Sequence, residues 1–184
     1  MRTSLLSIAA VASLIISVAP ASAVDITIGN SLASACYRSS MASITPRFAL
    51  IECNRSIEEE LLNDADRAAT FVNRGIVRMK AGDYRGADSD FDRALLLDRR
   101  RAEANLNKGF LRLRLGQFRD ALPFLDRSIE GRTIRPALAY YARAVAHEEL
   151  GDVQSAYSDL LKARAADPAW SIPVQELARY KVGR

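Results

Sequence analysis

Few residues in this 184-residue chain have the type and spacing that chemistry requires. The single histidine, His147, stands beside Glu148 and Glu149. A catalytic or structural metal wants three or four convergent ligands, so one imidazole beside two acids reads as a solvated helix face. Glu58-Glu59-Glu60 reads the same way. A phosphate-cradling Gly-rich loop, a Gly-x-Ser-x-Gly elbow and a paired-His motif are all missing. The two cysteines, Cys36 and Cys53, are too widely spaced for a Cys-x-x-Cys redox pair, and the distant His147 offers them no metal partner. A structural disulfide is the favoured reading, because two cysteines in an exported chain are usually paired. These residues point away from an enzyme, and no cofactor or metal is expected.

The export expectation comes from the first residues. Arg2 supplies a positive start, Leu5 to Val18 is apolar apart from small residues, and Ala21-Ser22-Ala23 follows Pro20 as a cleavage pattern. Residues 1–23 therefore read as a signal peptide, with a mature chain starting near Val24 and destined for the periplasm or for secretion. The apolar run is short of the roughly 20 residues a membrane span needs, and no later stretch supplies one. Cysteine does not follow the cleavage site, which argues against a lipid-anchored start. The formal net charge is +4, from 26 basic and 22 acidic residues, and removing Arg2 takes one unit of it. Charge this evenly spread, with Arg99-Arg100-Arg101 as the only basic triplet, does not make the clustered face that nucleic acid requires. The triplet reads as a solvated turn between helices.

An internal repeat organises the rest. At a shift of 34 residues Asn73 falls on Asn107, Gly75 on Gly109, Arg78 on Arg112, Gly82 on Gly116 and Ala87 on Ala121. A third copy at a shift of 35 brings Gly151, Ala156, Leu160, Ala163 and Pro168 into register. Gly82, Gly116 and Gly151 end apolar-periodic runs, where a helix needs a left-handed closing residue. Gly75, Gly109 and Ala144 fall mid-helix, where Gly costs roughly 1 kcal/mol against Ala. That cost makes sense if a partner helix approaches closely, with Ala87, Ala121 and Ala156 as the expected facing residues. Pro46, Pro136 and Pro168 suit helix starts.

On these residues, with Phe71, Tyr84, Phe91 and Ala94 in the first clear copy, the chain resembles the tetratricopeptide repeat family. The resemblance implies an all-α array of antiparallel helical hairpins, an α-solenoid. It assigns residues 24–67 to a degenerate first hairpin, 68–101, 102–136 and 137–170 to three repeats, and 171–184 to a capping helix. Arg78, Asn105 and Arg112 depart from the family pattern, which usually has aromatic or apolar side chains there. Arg99 and Thr133 stand where it usually has Pro. In the degenerate hairpin the same register puts Cys36 at the place of Arg74, Lys108 and Arg143, and Cys53 at that of Phe91, Leu125 and Leu160. The family fold implies that these two positions face each other, joined by a turn at Thr45-Pro46. In the final helix, read as Ser171 to Val182, Ser171 is the expected cap, and Trp170 packs beneath it.

The family also implies a concave groove lined by the first helix of each hairpin. The candidates are Val72, Asn73, Ile76 and Met79, then Leu106, Asn107, Phe110 and Leu113, then Tyr141 and Val145. Asn73 and Asn107 match an asparagine that bonds the backbone of a bound peptide, a task suited to an amide's donor and acceptor. Val72 and Ile76 occupy the place of the family's carboxylate clamp, so an apolar segment is expected rather than an acidic tail. The same stripe has helical spacing and reads equally as core. Two function classes follow: an envelope adaptor that binds a protein or peptide partner, or a self-associating module whose groove is filled by another copy.

Overall fold

A computed structural model of the protein describes residues 31–42 and 46–180. The predicted signal peptide, residues 1–23, and the predicted cap Thr45 lie outside the described residues. Among those described are nine helices: α1 (Leu32–Met41), α2 (Pro46–Glu59), α3 (Asp64–Lys80), α4 (Tyr84–Leu97), α5 (Ala102–Arg114), α6 (Phe118–Glu130), α7 (Pro136–Glu149), α8 (Val153–Ala166) and α9 (Ser171–Leu177).

The helices pair into four hairpins. In three of them a glycine closes the first helix, because the chain there needs a positive φ: 81° at Gly82, 70° at Gly116 and 81° at Gly151. The following amide reaches back to the helix, as in Asp83 N–H to the Arg78 carbonyl at 2.9 Å, which satisfies a terminal carbonyl. Asp83 and Asp152 then cap the second helix, accepting from the amides of Gly86 and Ser155. One Gly-Asp pair thus ends one helix and starts the next.

Within each of these hairpins a small residue of the first helix meets a large one of the second. A Cβ added to Gly75 would lie 2.5 Å from Phe91 Cε1, and one added to Gly109 would lie 2.6 Å from Leu125 Cδ2. The atoms nearest to both glycines thus belong to bulky side chains of the second helix. At the same register the α7–α8 hairpin carries Ala144 and Leu160, both buried. Gly75→Ala should cost about 1–3 kcal/mol through overpacking against the buried Phe91 ring. A double-mutant cycle checks this by thermal melting. Phe91→Leu in the Gly75→Ala background should recover part of the loss, since it reproduces the Ala144/Leu160 pairing.

The hairpins stack so that each even-numbered helix packs on the next odd-numbered one. Along the array α1, α3, α5 and α7 also pack on one another, whereas the even-numbered helices have no comparable packing among themselves. The odd helices therefore line the inner face, and apolar clusters around Phe71, Phe91 and Leu125 fill the space between layers.

The first hairpin is tied differently. Cys36 and Cys53 are bonded and fully buried beside Ala49 and Val77. Glu60 accepts from the amides of Leu32 and Ala33 at 2.6 and 2.9 Å, capping α1 from beyond the end of α2. It is thus not part of a solvated acidic face. At the other end, α9 stops at Leu177, short of the expected Val182, and residues 181–184 lie outside the described residues. Trp170, not Ser171, takes the cap position, and Pro168 lies in the turn before α9 rather than at a helix start.

Candidate protein-binding groove

The odd helices carry cations on the side that meets the even helices. Arg74, only 6% exposed, donates to Asp90 at 2.7 and 2.9 Å and to Asn54 of the preceding hairpin at 2.9 Å. Arg143 repeats this with Asp159 of its own hairpin and Asp126 of the preceding one, both at 2.7 Å. Lys108 lacks an acid in its own hairpin and bridges to Asp88 and Asp92 of the preceding one. A basic residue one repeat apart thus links each of these hairpins to the one before it.

Burial works against the ionised Asp159, yet the hydrogen bonds and charge of Arg143 and then Lys162 outweigh it and hold the carboxyl below its ordinary range. Asp88 is held low in the same way, burial being outweighed by Arg112 and Lys108. This seam explains the departures at Arg78 and Arg112. Arg78 binds Asp90 at 2.8 Å, and Arg112 binds Asp88 at 2.9 Å. Asn105 reflects an exchange of side chains across the hairpin. In α3–α4 and α7–α8 the first helix carries an aromatic, Phe71 or Tyr140, and the second an acid, Asp90 or Asp159. In α5–α6 the first carries Asn105 and the second Phe124. Arg127 donates to the Asn105 oxygen at 3.2 Å and lies 4.7 Å from the Phe124 centroid, whereas its equivalents Arg93 and Lys162 lie over Phe71 and Tyr140.

The inner face is different in kind, and it divides the expected groove residues. Val72 and Leu106 are 4% and 3% exposed and belong to the core clusters. Ile76 and Phe110 are half-buried, with one side against that core. Met79, Phe110 and Leu113, with Arg114, line an open depression of about 350 Å³. Tyr141 makes an edge contact with Trp170 at 5.1 Å between centroids, which packs the Trp that starts α9 against α7. Burial, then the nearby Glu176 and Glu148 charges, push the Tyr141 hydroxyl above its ordinary range. Val145 lines a separate shallow recess between α7 and the segment that includes α9.

The two asparagines are half-buried and use opposite ends of their amides. Asn73 Oδ1 accepts from the Ser40 hydroxyl at 3.4 Å, and Asn107 Nδ2 donates to the Glu103 carbonyl at 2.8 Å. Among the described residues Asn73 Nδ2 and Asn107 Oδ1 have no hydrogen-bond partner, which leaves one donor and one acceptor on consecutive inner helices.

Solved structures with the same arrangement are numerous. No protein-family model and no curated protein matches the chain. MamA residues 41-end from Desulfovibrio magneticus RS-1 is similar over 82% of this chain and 84% of its own, with 24% identity and a TM-score of 0.65. A further MamA structure is 20% identical over 73% of this chain and 75% of its own, at a TM-score of 0.61. PilW, described as a widely conserved type IV pilus biogenesis factor, is 16% identical over 80% of this chain and 67% of its own, at a TM-score of 0.65. The chain has the tetratricopeptide-like fold. In such an array the unpaired side of the odd helices is a continuous surface, and here it carries the apolar depression and the two asparagines. Among the described residues, no helix is long and apolar enough to cross a membrane. The charged seam escaped sequence reading, although an acid lies 16 positions after both Arg74 and Arg143.

Proposed function

We propose that this protein is a non-enzymatic interaction scaffold of the cell envelope, taking an apolar segment of a partner protein on its inner face. The observation that carries this reading is the open depression of Met79, Phe110 and Leu113, on the same two inner helices that hold the unpartnered amide atoms of Asn73 and Asn107. A backbone strand or helix end laid there meets one donor, one acceptor and an apolar floor. The signal-like first residues and the buried Cys36–Cys53 bridge favour an oxidising compartment outside the cytoplasm. The likeness to a pilus biogenesis factor favours a place in envelope assembly.

Self-association is the second reading. It is favoured by exposed apolar side chains at both ends of the array, Phe48 and Ile51 on α2 and Ile172 and Val174 on α9.

The test is the double substitution Asn73→Ala/Asn107→Ala, assayed against a partner recovered from the native envelope fraction. Each lost hydrogen bond to a partner backbone is worth about 1 kcal/mol, so binding should weaken on the order of tenfold or more. The melting temperature should barely move, because the internal bonds of both side chains are local or long. Unaltered affinity, or a large loss of stability, would show that the asparagines serve the scaffold.

A further inference from the structure

The cations of the inner face stand apart from those of the seam. On α3, Arg74 and Arg78 are both bridged to carboxylates, and on α5 so are Lys108 and Arg112. Lys80 and Arg114, one repeat apart on the same two helices, have only neutral partners. Lys80 Nζ donates to the Ser40 and Ala42 carbonyls at 2.6 and 3.3 Å, and Arg114 Nε donates to the Tyr84 hydroxyl at 2.7 Å. Neither has an acid within ion-pair distance among the described residues. Both sit in the last turn of a helix, where the dipole favours positive charge. The dipole does not distinguish one face of that turn from another, and the chain supplies acids to Arg74, Arg78, Lys108 and Arg112 while supplying none here.

Arg114 also lines the depression formed with Met79, Phe110 and Leu113. We propose that the inner face binds an acidic amphipathic protein segment, whose apolar side chains fill this depression and whose carboxylates pair with Arg114 and Lys80. This rests on the groove reading above and replaces the purely apolar partner expected from sequence. The next equivalent position on α7 is the acid Glu149, so the cationic stretch ends at α5. The partner's acids must lie over α3 and α5, which sets the direction in which the segment docks. A partner that leaves both cations unpaired gains only apolar contact, whereas one with acids adds charge-assisted hydrogen bonds to two exposed cations.

The test uses the whole mature protein as bait for a displayed library of random 12-residue peptides, with Lys80→Glu/Arg114→Glu and Met79→Asp variants alongside. Selected peptides should combine apolar residues with Asp or Glu. Exchanging those acids for amides should weaken binding to the unsubstituted protein on the order of tenfold. The charge-reversed variant should lose these peptides to a similar degree and select Lys or Arg in their place. Arg114→Gln, which removes the charge without adding another, should give an intermediate loss. It provides the decisive comparison if the reversed variant melts early.

Peptides lost by Met79→Asp but showing no preference for acids would overturn the proposal while leaving the groove intact. An empty selection, or peptides indifferent to Met79→Asp, would overturn the groove reading as well.

Discussion

Asp90→Ala should destabilise the array by about 3–5 kcal/mol, because removing one partner of a buried ion pair leaves the other charge uncompensated. Asp90 is fully buried and holds two guanidinium groups, Arg74 and Arg78. After the substitution Arg74, itself buried, keeps only the neutral Asn54. For a chain of this size the melting temperature should fall by roughly 10 °C. Asp159→Ala provides an internal comparison. Arg143 would keep Asp126, which is half exposed, so the loss should be smaller. Thermal melts of the two variants side by side check the ranking. Equal losses would mean that the link to the preceding hairpin contributes nothing.

Reducing the Cys36–Cys53 bridge should cost about 3 kcal/mol, the loop entropy released when residues 17 positions apart are uncoupled. The loss should be local. The first hairpin occupies the seam register with two cysteines, so it has no counterpart of the Arg74–Asp90 or Arg143–Asp159 pair. Its remaining polar ties include the Glu60 cap, a Ser39–Glu52 hydrogen bond, Lys80 at the end of α1, Arg67 on the Ile57 carbonyl and Arg74 on Asn54. Repeat arrays are stabilised chiefly between neighbours, so α5 to α8 should stay folded while α1 and α2 loosen. Amide hydrogen exchange with and without reductant resolves this hairpin by hairpin. Uniform acceleration along the whole chain would contradict it.

The repeat was legible because its punctuation is chemical. Only glycine takes the positive φ of Gly82, Gly116 and Gly151 at no cost, and the mid-helix Gly75 and Gly109 mark where a bulky partner approaches. The facing cysteines followed from that register together with the family fold it resembles. What periodicity could not resolve was the rotation of each inner helix against neighbours on two sides. Val72 and Leu106 share a stripe with Met79 and Leu113, yet the first pair is core and the second lines an open depression. Nor does a cation in a helical pattern announce burial. Arg74 and Lys108 look solvated until acids of their own or the preceding hairpin are brought beside them. Glu60 was misread for the same reason, since the helix start it caps lies 28 positions earlier. Asn105 looked like a defect because the compensating Phe124 sits on the opposite helix.

That the inner face is the binding surface can be tested most directly by placing a photo-reactive amino acid at Met79, inside the depression, and separately at Leu96, which is 80% exposed on α4. Each variant is irradiated in the cells that produce the protein, and the covalent products are sized. The account predicts a discrete adduct from Met79 and none from Leu96. An adduct of twice the chain mass would identify another copy as the occupant, and any other discrete mass a separate partner. Adducts from Leu96 but not from Met79, or none from either, would contradict the claim that this fold works through its inner face.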